Sequence, residues 1–270
     1  MRSREVCFIG GGNMGEALMA GILSSRLVSP SRVLVTDVRP GRLAQLKRKY
    51  GVGVGVDNAT AAASSRIVVL CVKPQQMESI LKELGPVLRS DQLVVSVAAG
   101  VRTGRIERAL RKRVPVIRVM PNTPALLGVG ALVYCRGRFV RKSHEVWARR
   151  LLGSSGRVWT VREKAMDAVT ALSGSGPAYV FYVAECMAAA GRRLGLAGAL
   201  AESLARQTVF GAGTMLSRTQ DPASVLRARV TSPGGTTAEA IQVFESLQMR
   251  KMFLEAMTAA ARRSRRLSGK

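Results

Sequence analysis

The sequence predicts an α/β chain: a doubly wound, mainly parallel sheet over residues 1–162, followed by an all-helical region over 163–270. Three observations carry that reading. Short runs rich in β-branched residues alternate with helical patterns of about ten residues. The first run ends in a glycine-rich turn, and strand-like runs stop after Val161, where Ala-rich helical faces take over.

Seven runs read as strands: Glu5–Ile9, Arg32–Thr36, Ile67–Val72, Gln92–Val97, Val116–Met120, Ala131–Cys135 and Arg157–Val161. Helical spacing lies between them at Met14–Leu27, Arg42–Tyr50, Gln75–Leu84, Thr103–Leu110 and Ser143–Leu152. Beyond Val161, turns at Gly174–Pro177, Gly195–Gly198, Asp221–Pro222 and Ser232–Gly235 divide the helices, among them Ala178–Ala190 and Thr236–Leu247. The small residues and Met on the faces of the first of these suit either a partner subunit or an ordinary intrachain bundle.

Composition narrows the class. The chain has 270 residues, 47% of them hydrophobic, enough for a substantial core rather than a disordered polyelectrolyte. One histidine (His144) and four cysteines at least 51 residues apart give no metal-ligand spacing, so no metal is expected. Cys7, Cys71 and Cys186 lie in apolar runs and read, with Cys135, as free thiols of a reducing compartment. No apolar run is long enough to span a membrane, and the N-terminus leads into a strand rather than a signal peptide, so a cytoplasmic protein is expected. The formal charge is +25, but the basic residues are mostly scattered arginines outside Arg111–Arg113 and Arg262–Arg266. With 4% aromatics and no recognisable reading element, a nucleic-acid partner is not expected; the field instead favours anionic metabolites.

Gly10-Gly11-Gly12-Asn13-Met14-Gly15 follows the first strand and opens the first helix, the context that the dinucleotide fingerprint of a Rossmann-type domain requires. Gly10 makes the tight turn, Gly12 lets the backbone approach a pyrophosphate, and Gly15 permits close helix–strand packing. Asp37, 22 residues past Gly15, is placed to accept from the adenine ribose hydroxyls and favours NAD. Arg39 and Arg42 are the groups that a 2′-phosphate requires, so the two signals conflict. Val72-Lys73-Pro74 and Ala98-Ala99-Gly100 leave strands where the nicotinamide half of a cofactor lies. Asn58 reads as a helix N-cap that can also reach the adenosine ribose. The prolines of Met120–Pro124 fix a loop that is expected to aim Asn122 and Thr123 at the same crevice. In the helical region, Thr231–Thr237 offers backbone N–H groups and two threonine hydroxyls at a helix start, a carboxylate-sized anion site or a simple cap.

Gly10–Gly15, Val72–Pro74, Ala98–Gly100, Met120–Pro124, Leu172–Tyr179 and Thr231–Thr237, in order along nearly the whole chain, resemble Δ1-pyrroline-5-carboxylate reductases. The resemblance implies a Rossmann domain followed by an all-helical dimerisation domain that interlocks with a second subunit, the dimers often assembling further into a decamer. It implies NAD(P)H-dependent reduction of pyrroline-5-carboxylate to L-proline, at a site shared between the cofactor crevice of one subunit and the Ser232–Thr237 turn of its partner. By position, Gly10, Gly12, Asn13, Met14, Gly15, Asn58, Val72, Lys73, Pro74, Ala98, Ala99 and Gly100 are implied to bind the nucleotide, joined by Asp37 and Arg39 at the ribose. Ser175, Ser232, Gly234, Gly235, Thr236 and Thr237 are implied to bind the substrate, with Thr237 as proton donor or hydrogen-bond partner of the ring nitrogen. NADP(H) is moderately favoured over NAD(H). Hydroxyacid reductases of similar layout typically place a lysine in mid helical domain, and residues 165–249 contain none.

Overall fold

A computed structural model of the chain describes residues 4–267, which divide into two compact units, 4–175 with 260–267, and 176–259. The first unit is built on an eight-stranded sheet in the order β3-β2-β1-β4-β5-β6-β7-β8. Its strands are β1 (Arg4–Ile9), β2 (Val33–Thr36), β3 (Gly53–Gly55), β4 (Ser65–Leu70), β5 (Leu93–Ser96), β6 (Val116–Met120), β7 (Gly130–Arg136) and β8 (Gly156–Thr160). All neighbours are parallel except β6 and β7, so the last two strands run against the first six.

The helices of this unit are α1 (Asn13–Ser24), α2 (Pro40–Tyr50), α3 (Asn58–Ala63), α4 (Met77–Leu84), α5 (Thr103–Leu110), α6 (Lys142–Gly153) and α7 (Met166–Val169). Strand residues alternate between two buried layers, because successive side chains point to opposite faces. Val6 and Phe8 pack with Leu18 and Ile22 of α1, Leu46 of α2 and Leu151 of α6. Cys7 and Ile9 pack with Ala62 of α3, Leu81 and Leu84 of α4 and Ile106 of α5. The sheet is thus wound on both sides, as the alternation of periods predicts.

Three local features differ from the sequence reading. β3 lies in the Gly-Val run at 51–56, where alternate glycines dilute the strand pattern; it pairs with β2, and Val54 packs against the core layer that holds Val33 and Val35. The cap of α3 is Asp57, whose carboxylate accepts from the Thr60 N–H at 3.0 Å, so Asn58 is the first helical residue and its side chain is free for other work. Cys135 is fully buried and Cys186 exposed, the reverse of what their neighbours in sequence suggest. The compact units part after Ser175, past the composition change near 162. The reason is local. Glu163 accepts from both the N–H and the hydroxyl of Thr103 at 2.8 Å, faces the buried Arg118, and so ties the segment after β8 to the start of α5.

The second unit contains α8 (Gly176–Arg193), α9 (Gly198–Arg218), α10 (Ala223–Arg229), α11 (Thr236–Ser246) and most of α12 (Met249–Leu267). Only small residues, Ala188, Ala201 and Ala205, are buried in its helices, while Phe181, Tyr182 and Phe210 are each about two-thirds exposed. Among the described residues no helix is long and apolar enough to cross a membrane.

Candidate functional site

The chain runs from β1 outward to β2 and β3, then returns to β4 on the other side of β1, which opens a crevice at the carboxyl ends of β1 and β4. Backbone bonds pin that edge: Gly10 N–H to Thr36 O and Cys71 N–H to Ile9 O, both 2.8 Å. The cleft there has a volume of about 450 Å³ and is lined by Gly10, Gly12, Asn13, Asp37, Arg39, Asn58, Val72 and Lys73 among the residues singled out from sequence. Ile9, Thr36, Val38, Val56, Cys71, Gln76 and Ile80 complete it. The exposed valines Val38 and Val56 follow β2 and β3, and only recognition of the weak β3 would have placed Val56 there.

The three fingerprint glycines have separate physical tasks. Gly10 has φ +100°, and a Cβ there would meet the Cys71 carbonyl at 2.8 Å. A Cβ on Gly15 would collide with the Gly10 carbonyl oxygen, so α1 packs onto the turn only with hydrogen at that position. A Cβ on Gly12 would meet nothing within 4 Å: the space beside it is open to the cleft. Gly12 also caps α1 without a side-chain partner, leaving first-turn N–H groups and the positive end of the helix dipole for an anion. These residues fit a dinucleotide pyrophosphate.

The ribose end is held by an ion pair. The Asp37 carboxylate accepts from the Gly11 N–H at 2.9 Å and from the Arg39 N–H at 3.0 Å, and it binds the Arg39 guanidinium bidentately. The Arg39 guanidinium holds its pKa below the usual carboxylate value, against the opposing effect of burial. Arg42, the second candidate for a 2′-phosphate, does not line the cleft; it bonds the Gly11 carbonyl and Glu16. Asn58 accepts from the Thr36 hydroxyl at 2.6 Å and donates to Glu83 at 3.0 Å, which sets its amide at the cleft wall.

Other residues expected near the cofactor stand outside the lining of this cleft. Met14, Gly15, Pro74, Ala98, Ala99 and Gly100 do not line the cleft. Ala98 is buried in the layer with α4 and α5, and Gly100, at φ +77°, lies under Leu267. Asn122 and Thr123 do not line it either: the Asn122 amide donates to Ser173 O at 3.1 Å and accepts from the Ala131 N–H at 2.9 Å. It braces the π-helical turn Thr170–Gly174, where Gly174 packs against Met120 and the Ser175 N–H donates to Thr170 O at 2.8 Å. His144 serves the start of α6, its Nδ1 accepting from the Arg141 N–H at 3.0 Å, and burial lowers its pKa. No cluster of three or more potential metal ligands occurs among the described residues.

In the second unit, Ser232–Gly235 turns into α11. The Gly235 N–H donates to Ser232 O at 3.0 Å, Gly234 has φ +68°, and Gly235 caps the helix without a side-chain bond. The N–H groups of Thr236, Thr237 and Ala238 and the Thr237 hydroxyl have no hydrogen-bond partner among the described residues. This is the donor set that a carboxylate requires.

A family model for pyrroline-5-carboxylate reductase dimerisation matches residues 163–267, and one for NADP oxidoreductase, coenzyme F420-dependent, matches 5–100. The pyrroline-5-carboxylate reductase of Corynebacterium melassecola is 40% identical over 97% of this chain and 98% of its own. The chain belongs to the pyrroline-5-carboxylate reductase family. A solved reductase of this family from Coxiella burnetii superposes with a TM-score of 0.93 at 39% identity, covering both chains completely. That of Plasmodium falciparum, solved with NADP bound, gives 0.87 at 29% identity, again over both whole chains. The dimerisation model of the family begins at residue 163, inside the first compact unit, so the family module and the compact unit divide the chain at different points.

Proposed function

We propose that this protein reduces Δ1-pyrroline-5-carboxylate to L-proline with NADPH or NADH, the last step of proline biosynthesis. The likeness over the whole chain to reductases of this family carries the reading, and the open face of Gly12 at the strand-end cleft supports the cofactor half of it. When bound, the reduced nicotinamide nucleotide supplies hydride to C5 of the cyclic imine. The chain holds the pyrophosphate on the Gly10–Gly15 turn, with Asn58, Val72 and Lys73 along the cleft and Asp37 and Arg39 at the ribose. At a site shared between two subunits, the N–H groups at the start of α11 take the substrate carboxylate beside the partner's cofactor cleft, with Ser175, Ser232 and Gly234 in the same substrate-binding set. The Thr237 hydroxyl stands at the ring nitrogen, where the proton is added as C5 accepts hydride. An imine nitrogen is basic enough to need no metal or strong acid, so orientation supplies most of the acceleration.

The apolar side chains exposed on α8 and α9 support a homodimer built by residues 163–270, with five such dimers forming a decamer in the cytoplasm. A mass measurement in solution separates two chains from ten. The decisive assay is loss of reduced-nicotinamide absorbance that depends on pyrroline-5-carboxylate and yields one proline per hydride. Folded protein that binds cofactor and shows no such loss overturns the proposal.

A further inference from the structure

The peptide units on either side of Gly11 are each held by a side chain from outside the glycine turn. The Gly11 N–H donates to Asp37 Oδ2 at 2.9 Å, and the Gly11 carbonyl accepts from Arg42 Nε at 2.6 Å. Arg42 is itself fixed. Its Nη2 bonds Glu16, its Nη1 donates to Gln45 Oε1 at 2.7 Å, and its side chain is only 15% exposed. Glu16 also accepts from Lys49 Nζ at 2.9 Å and from the Tyr50 hydroxyl at 2.7 Å. Residues of α2 thus converge on one carboxylate of α1 and one carbonyl of the turn.

A trans peptide unit is planar, so the Gly11 carbonyl and the Gly12 N–H point in opposite directions. Holding the carbonyl on Arg42 therefore aims the Gly12 N–H away from Arg42. That N–H has no acceptor among the described residues, and Gly12 lines the cleft. Glycine on both sides of this peptide makes the flipped orientation sterically accessible. A flip would turn a carbonyl oxygen toward an approaching anion. We propose that Arg42 is a positioning residue for the dinucleotide site: it locks the Gly11–Gly12 peptide with its donor toward the cleft, and Glu16 sets the guanidinium that does so. The inference rests on the dinucleotide reading of the cleft. Both Nη groups of Arg42 are committed to Glu16 and Gln45, so its effect falls on the pyrophosphate turn and not on the choice between cofactors.

Arg42→Met keeps most of the apolar stem and removes the donors. Titration of the full-length protein with NADPH and with NADH, followed by nicotinamide fluorescence, gives two dissociation constants. Both are expected to rise about tenfold, by the same factor, the usual effect of losing one charge-assisted hydrogen bond. The kcat at saturating cofactor and the melting temperature serve as controls, and kcat is expected to hold while KM for both cofactors rises. Arg42→Lys, whose single ammonium cannot replace the guanidinium at all three acceptors, is expected to fall between. If Arg42→Met does not fold, the lysine variant carries the test: an equal rise in both constants supports the proposal and no rise overturns it. Unchanged constants in folded Arg42→Met overturn it, as does a change in the NADPH:NADH ratio, which would make Arg42 a reader of the ribose phosphate. If the unaltered protein binds neither cofactor, the dinucleotide reading itself fails, and the role of Arg42 with it.

Discussion

The Asp37 carboxylate grips the Arg39 guanidinium in two parallel hydrogen bonds, Oδ1 to Nε at 2.9 Å and Oδ2 to Nη2 at 3.0 Å. The two residues that pull cofactor choice in opposite directions are therefore partners. The aspartate is almost covered, with 7% of its side chain exposed, whereas the arginine is 61% exposed. A 2′-phosphate has to draw Arg39 off Asp37, and a ribose hydroxyl has to compete with Arg39 for the carboxylate.

Asp37→Ser removes the anion and releases Arg39. The ratio of kcat/KM for NADPH to that for NADH is expected to rise about tenfold, the scale of one charge-assisted contact. An unchanged ratio would leave Asp37 as a brace of the glycine turn alone.

Gly12→Ala and Gly15→Ala separate binding from folding. The added methyl at 12 meets open space, so the melting temperature is expected to change little while cofactor affinity falls by an order of magnitude or more. At 15 the methyl strikes the Gly10 carbonyl, and a loss of about 1–3 kcal/mol in unfolding free energy is expected from overpacking. Thermal or denaturant unfolding, set beside cofactor titration, reads both.

Acid is expected to loosen the same region. Burial by itself raises the Glu16 pKa, but hydrogen bonds from Lys49, Tyr50 and Arg42 outweigh it and bring the value down from 4.5 to about 2. A carboxylate with a depressed folded pKa contributes stability that is fully present above its unfolded value. That contribution fades as pH falls from about 4.5 toward about 2. Melting temperatures of the protein and of Glu16→Gln should differ at pH 6 and converge across that window. A constant difference would show that the charge of Glu16 is not what stabilises.

Asn122→Ala deletes an amide that satisfies Ser173 O and the Ala131 N–H. About 1–3 kcal/mol of stability is expected to go with it, since both backbone partners are left to find water. Cofactor affinity should be unchanged, because Asn122 does not line the cleft; a large change in affinity at constant stability would contradict the bracing role.

Thr237→Ala removes the hydroxyl assigned to the ring nitrogen and keeps the backbone donors of α11. A fall in kcat equivalent to about 2–4 kcal/mol is expected, the range for one preorganised donor, with cofactor binding intact. Unaltered kcat would free Thr237 of any part in proton delivery.

By itself the sequence determined the parallel sheet, the strand–turn–helix setting of Gly10–Gly15, and the helix start at Thr236, because each depends on local periodicity or on residues adjacent in the chain. It also carried the family, through motifs spread over nearly its full length. The tertiary structure alone decided what those residues touch. Asp37 meets Gly11 across 26 residues, Arg42 meets the same glycine across 31, and Asn122 reaches Ser173 across 51. Such bonds leave no periodic trace, since a charged or amide side chain has the same one-dimensional signature whether it faces solvent, a ligand or a distant carbonyl. β3 is faint in the sequence for a related reason: alternate glycines dilute its apolar pattern, and the backbone hydrogen bonds that pair it with β2 are common to every sequence.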